Sequence, residues 1–108
     1  MKPIKFNSDL VDKILTGEKT TTWRLFDDKD LKLGDELEFI NKETLETFGY
    51  GKIISLKIKT LGTLNEEDWV GHARYDSDED MYSDFKKFYG DKVNKDTEVK
   101  IINFEFRL

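Results

Sequence analysis

Apolar residues recur along the chain at two different spacings. Alternation of apolar and polar residues is typical of a strand with one buried face, whereas apolar residues three or four apart are typical of a helix. The two patterns predict about five strands with about three helices inserted between them. Because helices and strands do not alternate regularly, we predict an α+β fold with a curved, mostly antiparallel sheet.

Strands are predicted wherever alternation or β-branched residues persist between turn signals. In the longest strand, Ile54 and Ile58 are predicted to point inward and Lys57 and Lys59 outward. The last strand has apolar residues on both faces, which predicts a central position in the sheet. The predicted strands span residues 2–6, 19–25, a segment after Leu33-Gly34-Asp35, 47–60 and 99–108.

Capping signals mark the three predicted helices. Ser8 is a plausible N-cap for the first helix, which Gly17 ends. Asn65-Glu66-Glu67-Asp68 resembles a capping box and predicts a second helix near Trp69. Ser77 has the same role for the third helix, which ends at Gly90.

Composition limits the classes of protein that remain. A chain of 108 residues has the length of one domain, and we treat residues 1–108 as a single domain. The sequence has no cysteine and one histidine, so we expect no metal and no cofactor. With a net charge of −5 the chain is unsuited to broad adhesion to long nucleic acid, so any RNA contact must be local. No apolar run suits a membrane span or a secretory signal, and we expect a cytoplasmic monomer without a membrane partner.

The segment Gly17-Glu18-Lys19-Thr20-Thr21-Thr22-Trp23-Arg24 concentrates polar chemistry at the start of one short strand. Lys19 offers three donors on a flexible stem, and Arg24 offers a planar fork suited to phosphate or carboxylate. The threonine hydroxyls both donate and accept hydrogen bonds. This set predicts recognition of a nucleotide-like ligand.

A helix followed by Gly-x-Lys-x-x-Thr-x-Arg resembles the signature of ASCH domains, small relatives of the RNA-binding PUA fold. The Leu33-Gly34-Asp35 turn, the helical region 69–89 and the final Phe104-Glu105-Phe106 strand strengthen the resemblance. The resemblance implies a small PUA-like β-barrel that binds RNA or a modified nucleoside or nucleotide.

Some ASCH enzymes remove the acetyl group from N4-acetylcytidine, using a lysine and a threonine of this motif together with a glutamate. The resemblance places the lysine at Lys19 and the threonine at Thr22, and it places the glutamate at Ala73, which has no carboxylate. An acid or base of this kind is typically worth about 10²–10⁴-fold in rate. The resemblance therefore leaves two functions open, namely binding alone and an amidohydrolase that is impaired by the alanine.

Five further residues are candidates for ligand binding, and each also has an ordinary structural interpretation. Arg24 is suited to a phosphate or a ribose, but it is equally able to pair with Asp27 or Asp28. Lys19 alone could be a solvated strand-end lysine, and three consecutive threonines also suit a strand. The aromatic candidates could belong to the core, and a lone histidine is often a capping group. A protein-interaction module remains a third hypothesis. The ligand-binding candidates are Arg24, Trp23, His72, Arg74 and Tyr75.

Overall fold

The computed structural model describes residues 1–27, 29–72 and 74–108. It contains five strands and two α-helices in the described part of the chain. Asp28 and Ala73, a predicted pairing partner and a predicted catalytic position, lie outside the described residues. The elements are β1 (Lys2–Phe6), α1 (Ser8–Leu15), β2 (Thr21–Leu25), β3 (Glu36–Asn41), β4 (Thr47–Thr60), α2 (Asp78–Tyr89) and β5 (Glu98–Arg107).

The five strands form one mixed sheet in the order β1-β3-β4-β5-β2. The β1–β3 pair is parallel and the other three pairs are antiparallel. The predicted α+β fold and the central position of β5 are confirmed. The sheet curls into a half-barrel instead of closing, because β1 and β2 form its two edges. We call the space between these two edge strands the seam.

The helix predicted near Trp69 is a short 3-10 helix, Glu66–Trp69, so the structure has one α-helix fewer than expected. Its start agrees with the sequence, because Asn65 and Asp68 form both hydrogen bonds of a capping box. Its end follows from the backbone, because Val70 is extended and Gly71 has a φ of 78°. The helix therefore stops after one turn.

Two hydrophobic clusters pack on the two faces of the sheet. Both α-helices begin and end close to their predicted limits, although the N-cap of α1 is Asn7 and not Ser8. The first cluster joins α1 to β1 and β3 and includes Phe6, Phe39 and Phe104. The second cluster joins α2 to β2 and β5 and includes Trp23 and Phe85. Strand β2 thus has one cluster on each side.

A register shift between Ile53 and Ser55 interrupts the pairing of β4 with β5. The extra residue leaves Ile54 exposed, and Ile58 is exposed as well. Both isoleucines were predicted to point inward, so the prediction was wrong for them. Lys57 and Lys59, which were predicted to point outward, instead bind the buried carboxylate of Asp68.

Candidate functional site

Lys19 lies between α1 and β2 and is only 7% exposed. Its backbone N–H donates to the carbonyl oxygen of Lys13 in the last turn of α1, which fixes the chain as it leaves the helix. Its side-chain Nζ donates to the carbonyl oxygen of Thr21 at 2.6 Å. The lysine therefore folds back on its own strand and does not extend into solvent.

The surroundings of Lys19 disfavour its positive charge. Burial and, to a lesser extent, the nearby charges of Arg24 and Lys13 together lower the pKa of the Lys19 amine to about 8. Among the described residues no carboxylate forms an ion pair with Lys19. A fraction of roughly one in ten of these amines is neutral at pH 7, far more than for an ordinary lysine.

Arg24 crosses the seam. It is half-buried on β2, and its Nη2 donates to the carbonyl oxygen of Lys5 on β1 at 3.2 Å. The guanidinium carbon lies 5.1 Å from the centre of the Phe6 ring, also on β1. Burial lowers the pKa of Arg24, while Tyr89 and Asp27 partly oppose that effect. Arg24 therefore takes the place of backbone pairing between the two edge strands.

The pairing of Arg24 with Asp27, one of the alternatives from the sequence, is not formed. Asp27 binds the Nζ of Lys100 at 2.8 Å and accepts from the backbone N–H groups of Leu31 and Lys29. The Nε of Arg24 is buried and has no hydrogen-bond partner within the described residues. Part of the hydrogen-bonding capacity of the guanidinium is thus unused.

Thr22 is buried on β2 and lies opposite Ile102 of β5. Because side chains alternate along a strand, Thr22 and Arg24 share one face of β2 and Thr21 and Trp23 share the other. The structure therefore places Thr22 on the same face as Arg24, which itself lies close enough to Lys19 to affect its pKa.

A short segment, Val70 to His72, lies across the start of β2. The backbone N–H groups of Thr20 and Thr21 both donate to the carbonyl oxygen of Gly71. The Thr21 hydroxyl lies 2.9 Å from the carbonyl oxygen of Val70. These contacts hold His72 next to the strand that carries the motif.

His72 and Trp23 stack on each other, with ring centres 4.2 Å apart and an angle of 21° between the planes. Trp23 is buried and also packs against Trp69 and Phe85. Its Nε1 has no hydrogen-bond partner within the described residues. Trp23 thus lies on the face of β2 opposite Thr22 and Arg24, and His72 covers it.

Arg74 and Tyr75 line a different part of the molecule, a cavity of about 270 Å³ between the Glu66–Trp69 helix and the start of α2. Arg74 pairs with Glu66 and lies over the ring of Trp69. The hydroxyl of Tyr75 donates to Asp84 at 2.6 Å. Burial raises the pKa of this tyrosine, and the hydrogen bond to Asp84 raises it by a smaller amount. Lys19, Thr22 and Arg24 do not line this cavity.

A second cavity, of about 620 Å³, lies between α2 and the segment 93–95. None of the predicted site residues lines it. The structure therefore divides the candidates into three groups. Lys19, Thr22 and Arg24 lie by the seam, Trp23 and His72 stack on the other face of β2, and Arg74 and Tyr75 border the smaller cavity.

Sequence reasoning missed two features of this region. Lys13 adds a third positive charge beside Lys19, and its position in the last turn of α1 was a usable signal. Asp68 is fully buried and binds Lys57 and Lys59, which attaches the Glu66–Trp69 helix to β4. Burial alone would raise the pKa of Asp68, but hydrogen bonds from the two lysines and from Asn65 lower it to about 2.

Comparison with known structures identifies the fold. Protein EF3133 from Enterococcus faecalis V583, described as DUF984, is 18% identical with a TM-score of 0.78 over 98% of this chain and 80% of that one. Hypothetical protein PH0355 is 21% identical with a TM-score of 0.74, over 99% of this chain and 100% of that one. An ASCH domain from Lactobacillus crispatus JV V101 is 17% identical with a TM-score of 0.67, over 88% of this chain and 68% of that one. The chain has the ASCH fold.

The predicted resemblance to ASCH domains is thus confirmed at the level of the fold, which is what such distant identities show. No family model matches the sequence, and a comparison with curated proteins also finds no match. Among the described residues of this ASCH-fold protein, no helix is long and apolar enough to cross a membrane. The same residues contain no cluster of three or more acidic or histidine side chains placed to hold a metal ion.

Proposed function

We propose that this ASCH-fold protein binds a nucleoside, a nucleotide or a short piece of RNA at the seam, through Lys19, Thr22 and Arg24. One observation carries the proposal: Lys19 is 7% exposed and has no carboxylate partner among the described residues. A buried amine without a counter-charge costs stability, so it is typical of a site that serves a ligand.

The second support is the arrangement around the amine. Arg24 has unused donors in its guanidinium, and the Thr22 side chain lies on the same face of β2. An amine, a hydroxyl and a guanidinium together match the polar edge of a base and the oxygens of a ribose or phosphate. The ASCH resemblance of the same three residues points to the same class of ligand.

The remaining candidates have supporting roles in this proposal. His72 borders the motif strand, while Trp23 is covered by His72 and Trp69 and supports the histidine from below. Arg74 and Tyr75 border the smaller cavity, where a longer ligand such as RNA would extend.

Calorimetry at pH 7 tests the proposal. Cytidine, N4-acetylcytidine, CMP and short oligoribonucleotides are titrated into the wild-type protein, into Lys19→Met and into Lys52→Met, whose lysine is exposed on β4. We expect binding tighter than millimolar for at least one ligand, a clear loss in Lys19→Met and no change in Lys52→Met. Absence of binding to every ligand, or equal binding by both variants, would contradict the proposal and favour a protein-interaction module.

The second candidate function is hydrolysis of an N4-acylated cytidine. The lowered pKa of Lys19, about 8, favours it because a neutral amine can act as a base or activate a neighbouring hydroxyl such as that of Thr22. Release of acetate from N4-acetylcytidine measures this activity in the wild type and in Ala73→Glu. Turnover in the variant alone would support an enzyme scaffold that lacks one group, and inactivity in both would favour a binding protein.

A further inference from the structure

We infer that the ligand of the seam carries a terminal phosphate monoester, and that this group binds between Lys19 and Arg24. The inference rests on the proposed function and makes it more specific. It assigns these two residues to the phosphate of a mononucleotide or of a phosphorylated RNA end.

The first argument is the imbalance of charge at this place. Lys19, Arg24 and Lys13 come from three successive parts of the chain and are close enough for Arg24 and Lys13 to act electrostatically on Lys19. None of the ion pairs in the described part of the chain includes any of the three. Asp27, the carboxylate that acts electrostatically on Arg24, is itself paired with Lys100, so an excess of positive charge remains here. Such an excess suits a ligand with more than one negative charge.

The second argument is the number of unused donors. Of the five N–H donors of Arg24, one is bound to the Lys5 carbonyl oxygen, and the buried Nε has no partner among the described residues. The ammonium of Lys19 has three donors, and one of them is bound to the Thr21 carbonyl oxygen. A phosphate monoester has three terminal oxygens, which are enough acceptors for unused donors of both groups.

The third argument distinguishes a terminal phosphate from an internal one. Lys19 is almost fully buried and Arg24 is half-buried, so the phosphate must enter the seam to reach the amine. An internal phosphodiester carries a ribose on each side and one negative charge. A monoester carries a single substituent and close to two negative charges at pH 7, so it enters more deeply and matches the excess positive charge better.

Calorimetry with matched ligands tests the inference. CMP is compared with cytidine, and a 5′-phosphorylated trinucleotide is compared with the same trinucleotide lacking that phosphate; inorganic phosphate is a separate arm. We expect each phosphorylated ligand to bind at least about tenfold more tightly than its partner. The preference should disappear in Lys19→Met and weaken in Arg24→Lys, which keeps the charge but loses the planar fork. It should persist in Lys52→Met.

The outcomes separate this inference from the proposed function. Equal binding of CMP and cytidine would overturn the phosphate assignment and leave nucleoside binding intact, whereas no binding of any ligand would overturn both. Equal affinity for inorganic phosphate and CMP would support the phosphate assignment and contradict recognition of the nucleoside. Circular dichroism checks that each variant is folded, and should Lys19→Met not fold, Arg24→Lys alone decides the preference.

Discussion

Gly71 lies so close to Thr20 that a Cβ atom on the glycine would be 2.1 Å from the threonine Oγ1. The backbone of Gly71 also has a positive φ of 78°, which residues with a side chain rarely adopt. Glycine is therefore needed here for two independent reasons. Through this contact the Val70-to-His72 segment lies directly on the start of the motif strand.

Gly71→Ala should lower the free energy of unfolding by about 2 kcal/mol, because it combines the unfavourable backbone with the clash. Gly17→Ala is the matched control, since Gly17 has a φ of 83° but open space at the Cβ position, and it should cost only about 1 kcal/mol. Urea unfolding measures both. In the double variant Gly71→Ala/Thr20→Ala part of the loss should be recovered, and equal costs for the two glycines would contradict the close contact.

Lys19→Met should stabilise the protein at pH 7, by about 1–3 kcal/mol, because it removes a buried charge and retains the volume of the side chain. The pKa of Lys19 is about 8 in the folded protein and 10.5 ordinarily. Between these values the unfolded chain binds more protons, so the stability of the wild type rises with pH. The advantage of the variant is therefore greatest below pH 8 and shrinks toward pH 10.5.

Chemical unfolding of the wild type and Lys19→Met from pH 6 to 10 measures that difference. Lys52→Met, at an exposed position, should show no comparable gain at any pH. If Lys19→Met is instead less stable than the wild type at pH 7, the amine stabilises the fold through its hydrogen bond to the Thr21 carbonyl oxygen. Its burial would then be no argument for a ligand site.

Asp68→Asn should destabilise the protein, because the fully buried carboxylate accepts from Lys57, Lys59 and the backbone of Asn65. We expect the free energy of unfolding to fall by about 2–3 kcal/mol. This is at the lower end of the cost of breaking a buried ion pair, because both lysines remain partly exposed to water and can be solvated. Asp30→Asn removes an exposed pair with Lys32 and should change little. Thermal unfolding at pH 7 distinguishes the two, and similar effects would contradict the structural role of Asp68.

The contribution of Asp68 should also depend on pH. Its pKa is about 2 in the folded protein, below the ordinary value of 3.8. The stabilisation is therefore complete above pH 4 and is lost as the pH falls through 2. The difference between the wild type and Asp68→Asn should shrink over that range, and a difference that stays constant down to pH 2 would speak against the lowered pKa.

Binding of CMP at pH 8 should take up protons from the buffer. About half of the Lys19 amines are neutral at that pH, because the pKa of Lys19 is about 8. A phosphate beside Lys19 raises this pKa, because its negative charge offsets the positive charges of Arg24 and Lys13. Calorimetry in two buffers with different ionisation enthalpies gives the number of protons, which should approach one half. If CMP binds to the wild type without any uptake of protons, the phosphate of CMP does not lie beside Lys19.

Much of the fold follows from local patterns in the sequence. The limits of β1 and β4 agree with the predicted ranges, and α2 begins after Ser77 and ends before Gly90 as its caps indicate. These elements have strong signals, namely alternation over many residues or a cap at each end. The second predicted helix had a genuine start signal at Asn65, but no pattern in the sequence indicated that the chain would leave the helical conformation before Gly71.

The bulge in β4 shows why faces are harder to predict than strands. One extra residue at Ile54 shifts the alternation, so that Ile53 is buried and Ile54 is exposed. The bulge does not explain Ile58, which lies on the same face as the partly buried Leu56 and is nevertheless exposed. Lys57 and Lys59 lie on the other face and bind Asp68. The motif itself was found from its residue types. The burial of Lys19 was not, because it depends on how α1, β2 and the seam come together, and no local pattern encodes that.

The link between Arg24 and the Lys5 carbonyl oxygen gives the two edges of the sheet an unusual connection. Two paired strands separate only when a whole row of backbone hydrogen bonds breaks cooperatively. A single side chain breaks its contact by rotating about its own bonds, without unfolding any strand. The two edges of the half-barrel are therefore held together by a contact that one side chain can break, and the same side chain, Arg24, would bind an incoming anion.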